Sequence, residues 1–255
     1  MGVAGLADCG QRAEPGESGN VPLLTRFGAA GAAMLTAVLL LTGCGALGKV
    51  GAGSHNPPAS KFTVTARVTS VVIDGGSGSV DVTGTSGSAV IVSQQASYSS
   101  TPPKASHVLR SGTLTVSYTC PTELLCGESY DVQVPRDVAV SVSTSAGSVT
   151  LTSLAGAVSA RATAGLVTAV DLRSSVASFK SDAGGVIATF SVAPRSLTAA
   201  TNVGPITLTV PGSVAYQVAA HTVVGTSTIT VRRDGSSAHS ISAHSDLGSI
   251  SISPS

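Results

Sequence analysis

Thr144-Ser145-Ala146-Gly147-Ser148-Val149-Thr150-Leu151 decides the fold, because the same grammar returns along the rest of the chain. The next copies are Ala162-Thr163-Ala164-Gly165-Leu166-Val167-Thr168-Ala169 and Ser181-Asp182-Ala183-Gly184-Gly185-Val186-Ile187-Ala188. Then come Thr201-Asn202-Val203-Gly204-Pro205-Ile206-Thr207-Leu208, a weaker copy around Gly225, and Ser245-Asp246-Leu247-Gly248-Ser249-Ile250-Ser251-Ile252. The glycines Gly147, Gly165, Gly184, Gly204, Gly225 and Gly248 are separated by 18, 19, 20, 21 and 23 residues. A short motif at a period of about 20 residues marks a repeat architecture.

Each unit reads the same way. A short alternating strand such as Val138-Ala139-Val140-Ser141-Val142 leads in. A small polar turn with glycine follows, then a second alternating strand. Alternation sends Val149 and Leu151 to one face and Ser148 and Thr150 to the other. A unit this small cannot bury its apolar face alone, so stacking is required. The expected fold is all-β: a β-solenoid with turns of about 20 residues, or alternatively a β-sandwich with regular turn spacing.

Composition agrees with strands. Charged residues are 11%, aromatics 3%, Trp is absent, and glycine numbers 29. The net charge of +1 gives no footprint for nucleic acid. Further strands are expected over 62–73, 112–119 and 130–134. A loop is expected over 94–107, where Pro102 and Pro103 fall. Gly75 to Asp81 is a near miss to a calcium-binding nonapeptide and reads as a glycine turn.

The N-terminal part points to export. Residues 27–48 carry no charge, with Arg26 before them and Lys49 after. Phe27 to Leu41 has the length of a secretory apolar segment and is short for a membrane span. It ends in Leu41-Thr42-Gly43-Cys44, which resembles the lipobox of bacterial lipoproteins. That resemblance implies cleavage between Gly43 and Cys44 and lipidation of Cys44. The expected divisions are therefore 1–43 (extension and signal peptide), 44–61 (lipidated cysteine and Gly/Pro-rich tether) and 62–255 (repetitive all-β domain). Residues 1–20 hold Asp8, Glu14 and Glu17 and suit no signal peptide. Translation from Val21 would remove them, and Cys9 with them.

The turn-Gly-strand units, the step Val134-Pro135-Arg136-Asp137-Val138 and the lipobox together resemble the putative-adhesin domain family of bacterial surface proteins (the DUF4097 type). The resemblance covers about residues 62–253. It implies a surface β-solenoid and an adhesin-like role, and it supplies no catalytic residues.

The remaining chemistry is sparse. Cys120 and Cys126 are expected to pair as a disulfide in an oxidising compartment. His239 and His244 would fall on opposite faces of one strand, and His107 and His221 have no partner in sequence, so no metal site and no cofactor are expected. Ser145, Thr163, Asp182, Asn202 and Asp246 occupy equivalent turn positions and would stack as a polar ladder. No Gly-x-Ser-x-Gly elbow, phosphate loop or dinucleotide fingerprint occurs.

The leading expectation is a non-enzymatic, lipid-anchored scaffold or adhesin-like binding module at the extracytoplasmic face of the membrane. Its ligand would be a surface or envelope protein or polysaccharide. An enzyme acting on envelope or external polysaccharide is the alternative from another class, and two carboxylates meeting in a cleft would favour it. A regulatory or sensory partner of a membrane protein is the third.

Overall fold

The computed structural model describes residues 54–121 and 125–255, all within one compact unit spanning Val50–Ser255. Gly43, Cys44 and the apolar segment before them lie outside the described residues. The described residues form strands and no helix.

The early strands build an antiparallel end. β1 (Ser60–Val64) lies antiparallel to β4 (Val90–Tyr98), and β4 antiparallel to β7 (Cys126–Pro135), in a first sheet. β5 (Lys104–Arg110) pairs antiparallel with β6 (Thr113–Thr119) in a second. β2 (Ser70–Ser77) then joins β6, and β3 (Val80–Thr85) joins β7, in parallel. β5 is exposed along its whole length and carries Lys104, His107 and Arg110. Charged side chains on an exposed edge discourage pairing with another chain. Across the sheets, the rings of Phe62 and His107 stack at 4.2 Å.

From Ala139 onward each repeat gives one strand to each sheet. β8 (Ala139–Ala146), β10 (Val158–Ala164), β12 (Val176–Ala183), β14 (Ser196–Val203), β16 (Gln217–Val224) and β18 (Ser240–Leu247) belong to the second sheet. β9 (Val149–Thr152), β11 (Val167–Leu172), β13 (Val186–Phe190), β15 (Ile206–Val210), β17 (Ser227–Ile229) and β19 (Ile250–Pro254) belong to the first. Equivalent strands of neighbouring repeats pair in parallel and nearly in register, as in Val140↔Val158↔Ala177↔Leu197↔Ile241. The outcome is two mixed sheets of ten and nine strands.

One apolar cluster fills the space between them. Val140, Val142, Val149 and Leu151 are all at most 2% exposed, and their equivalents in the following repeats join the same cluster. This two-sheet, sandwich-like packing is the coarse architecture. The alternation that buries Val149 and Leu151 leaves Thr150 and Thr152 on the outside.

Near the C-terminal end, spatial order departs from chain order. β18 sits between β14 and β16, and β19 between β15 and β17. The last repeat thus lies inside the stack and the preceding one outside it. The last repeat offers Ile241, Ala243, Ile250 and Ile252, each at most 2% exposed. The outermost repeat offers Val218, Ala220 and Ile229, which remain partly exposed. At paired strand positions the inner repeat carries the larger side chains, Ile241 beside Val218 and Ile250 beside Ser227, whereas the outer repeat closes the end of the core with the buried Tyr216 and Val231.

Two local expectations are corrected. Residues 94–107 are mostly strand: β4 runs to Tyr98 and β5 begins at Lys104, so only 99–103 connect them. Pro102 and Pro103 occupy that connection, where no ladder bond is lost. The expected strand over 62–73 is broken after Val64, and β2 starts at Ser70. Pairing also begins ahead of β1, where the His55 amide donates to Tyr98 O at 2.7 Å.

Candidate functional site

The corner glycines position the chemistry of the repeat edge. Gly147, Gly165, Gly184, Gly204, Gly248 and Gly225 take φ between +139° and +158° and stack one above another. Outside them runs the polar row that the turn motif supplies. The register places Ser145 beside Thr163, Thr163 beside Asp182, Asp182 beside Asn202, and Asn202 beside Asp246.

A second, inner row is not legible from the turn. Thr144, Ser181, Thr201 and Ser245 are buried one position earlier. Their hydroxyls answer the glycine carbonyls: Ser181 Oγ donates to Gly165 O at 2.7 Å, Thr201 Oγ1 to Gly204 O at 2.8 Å, and Ser245 Oγ to Gly204 O at 3.1 Å. A buried polar group needs such a partner, so the inner row is structural. The signal that could have found it is a hydroxyl at the third position before glycine in Thr144, Ser181, Thr201, Thr222 and Ser245, at a place where alternation demands an inward side chain.

The outer row holds the exposed ion pairs. Asp182 receives Arg161 of the neighbouring β10 at 3.1 Å and Lys180 of its own strand, two residues earlier, at 3.3 Å. Both cations are substantially exposed, so each pair is worth little on its own.

A concave polar region lies on the first sheet at the antiparallel end. Asp81 on β3 is paired in register with Asp131 on β7, and Asp131 with Ser93 on β4. Together with Ser79, Gln95 and Ser129 they line a cavity of about 300 Å³. Neighbouring strands lie about 4.8 Å apart, so the carboxylates share one open face. Like charges directly opposite on a sheet are unfavourable. The pair meets because Asp81 is fixed to Asp131 across 50 residues of chain, which no local pattern announces. The cavity is lined by a single aromatic, Tyr130, whose ring is only 1% exposed and belongs to the core. Both carboxylates are exposed, whereas acid–base work needs environments that separate the two groups.

Earlier on β7, Glu128 is 3% exposed and accepts a hydrogen bond from Tyr130 Oη at 3.2 Å. Burial pushes the Glu128 carboxyl above its ordinary range, against the lowering effect of that bond. Burial and the neighbouring Glu128 raise the Tyr130 phenol. A carboxyl with a raised folded pKa holds its proton better in the native state. Stability is therefore lost as pH rises from the ordinary carboxylate range through the raised value. Glu128→Gln keeps an acceptor for Tyr130 and removes the charge. Thermal unfolding followed against pH should show the variant level with the parent at acid pH and more stable at neutral pH. A gap that shrinks as pH rises would contradict this assignment.

The other residues singled out in the sequence are dispersed. Cys120 and Cys126 form a disulfide at the junction of β6 and β7, with Cα atoms 5.9 Å apart. Gly75 to Asp81 crosses from β2 into β3, and Val80, where a calcium nonapeptide needs aspartate, is fully buried. His239 lies just before β18, its Nδ1 2.9 Å from Pro194 O, and does not share a site with His244. His221, without a partner in sequence, pairs in register with His244 across β16 and β18. Among the described residues, no group of three or more His, Cys, Asp or Glu is set to hold a metal ion.

No family model matches this chain, and no curated protein matches it. Solved structures give distant likenesses. A putative cell adhesion protein from Clostridium sporogenes is 12% identical, with 77% of this chain and 100% of that one covered and a TM-score of 0.39. A putative adhesin from Bacteroides fragilis is 13% identical, with 77% and 97% covered and a TM-score of 0.34. A putative adhesin from Parabacteroides merdae is 11% identical, with 78% and 96% covered and a TM-score of 0.32.

Proposed function

We propose that this chain is an exported lipoprotein whose repeats coil as a β-solenoid and act as a non-enzymatic scaffold or adhesin-like binding module at the cell surface. In this reading it is a divergent member of the putative-adhesin domain family. Cys44 carries the lipid, and of the expected tether over 44–61 only the residues before His55 serve as one, because His55 is already bonded to Tyr98. The observation that carries the reading is the parallel, near-register stacking of equivalent strands, in which each repeat alternates between the two sheets. Such stacking makes long regular faces. The outer side of the first sheet presents Thr150, Thr168, Ile187, Thr207, Ser251 and Thr228 in one continuous row. Extended repeat surfaces of this kind suit partner binding. The ligand is an envelope or surface protein or polysaccharide.

The second reading is a polysaccharide-acting enzyme, favoured by one observation, the Asp81–Asp131 pair lining its cavity. One experiment separates the two. The mature protein is incubated with insoluble cell-wall polysaccharide, then both sedimentation and released reducing ends are measured. Binding without release is expected, and Asp81→Asn with Asp131→Asn should change neither. Release of reducing ends that the double variant abolishes would replace the binding-module reading with the enzymatic one. Trypsin treatment of intact cells should also remove the domain, and full protection would refute a surface location.

A further inference from the structure

We propose that His221 and His244 form a surface site for a borderline transition-metal cation such as zinc, with Asp246 orienting His244. The register places His221 of β16 directly beside His244 of β18. Both side chains point out from the second sheet, and their rings stack with centroids 5.6 Å apart at 25°. Parallel strands hold such a pair at a spacing of about 4.8 Å between backbones. Exposed imidazoles on that spacing converge on one ion by ring rotation alone.

The chemistry of the third group makes the pair more than two neighbouring rings. His244 Nε2 lies 3.0 Å from Asp246 Oδ1. With Nε2 donating to the carboxylate, the Nδ1 lone pair is left as the ligand. This is the carboxylate–histidine arrangement that fixes tautomer and raises ligand basicity at metal centres. Two imidazole donors suit zinc, copper or nickel, whereas calcium and magnesium require more oxygen ligands. Water completes the coordination of a two-histidine site on an open face.

The surroundings tolerate a cation. Next to His244 on the inner side stands Ala200, small and uncharged. The cations farther along the same row, Lys180 and Arg161, are both engaged by Asp182. The consequence is mechanical. β16 is an edge strand of its sheet, and among the described strands its one neighbour is β18. An ion shared by His221 and His244 would clip that edge strand in place, and it would stabilise the folded form by mass action.

The test uses the mature chain without a histidine tag. Calorimetric titration with Zn²⁺ should show one ion per chain, and Ca²⁺ should give no heat of binding. Amide exchange over Gln217–Val224 should slow when zinc is present. His221→Ala and His244→Ala should each weaken zinc binding at least about tenfold, and Asp246→Asn by about 10-fold to 100-fold. His239→Ala, whose ring is held by Pro194 O, should bind as the parent does. Circular dichroism identifies variants that keep the fold. Unchanged zinc affinity in a folded His221→Ala variant, or no zinc binding by the parent, would overturn the proposal.

Discussion

Gly204→Ala should destabilise the protein by about 4 kcal/mol or more, a large share of the roughly 5–15 kcal/mol that holds a typical domain. Gly204 has φ +143°, where side-chain-bearing residues are strained by about 1–3 kcal/mol. Steric overlap adds more than this strain. A Cβ there would overlap the carbonyl oxygen of Gly184 and come within 3.0 Å of Gly185 N. These are backbone atoms of the neighbouring repeat, so no side chain can swing away. The same residue's amide, Gly204 N, donates to Leu247 O at 2.8 Å, which ties the strand ends of a third repeat to this corner. Relief would therefore require several repeats to separate. For a domain of this size the melting temperature should fall by about 10 °C or more. Gly235→Ala is the control, because a Cβ there meets nothing within 4 Å. Equal melting temperatures for the two variants would show that the corner glycines do not set the packing of the stack.

The demand that each corner places on one glycine is also what makes part of the fold legible in the sequence. The repeat is visible because that demand recurs, and because alternation around it, as in Val149-Thr150-Leu151, is a local pattern. An all-β chain with an inward Val149 and Leu151 follows from those residues alone. Long-range pairing does not. Nothing near Gly225 states that Ile250 will lie between Ile206 and Ser227, since that outcome is a pairing between strands of three different repeats. The antiparallel end departs from expectation for a related reason. Pro102 and Pro103 suggest a loop over 94–107, yet a short connection suffices once β4 and β5 lie in different sheets. The candidate sites are hidden by the same gap. Asp81 meets Asp131, and His221 meets His244, only through register between distant strands. The inner hydroxyl row escapes notice because Thr144 and Ser145 both look like turn residues, and only alternation carried on from Val140 and Val142 marks Thr144 as the inward one.

Cys44→Ala should move nearly all of the protein out of the membrane fraction or leave it as an uncleaved precursor. The expectation rests on a sequence boundary. An apolar run of 15 residues from Phe27 to Leu41 stops at Leu41-Thr42-Gly43-Cys44, with glycines on both sides of the cysteine. A run of that length starts export, yet it is short for a helix that must cross about 30 Å of hydrocarbon. In the lipoprotein reading, membrane attachment depends on acyl chains at one thiol, each buried methylene contributing about 0.8 kcal/mol. Replacing the thiol removes every methylene at once, so the change is all-or-none. Metabolic labelling with palmitate should mark the parent and leave the variant blank. Carbonate washing adds the contrast with an uncleaved signal anchor. A variant that stays unlabelled, full-length and resistant to the wash is an unprocessed precursor, as expected. A parent that is itself full-length and unlabelled would instead make residues 27–48 the anchor, and Cys44 would have no part in attachment.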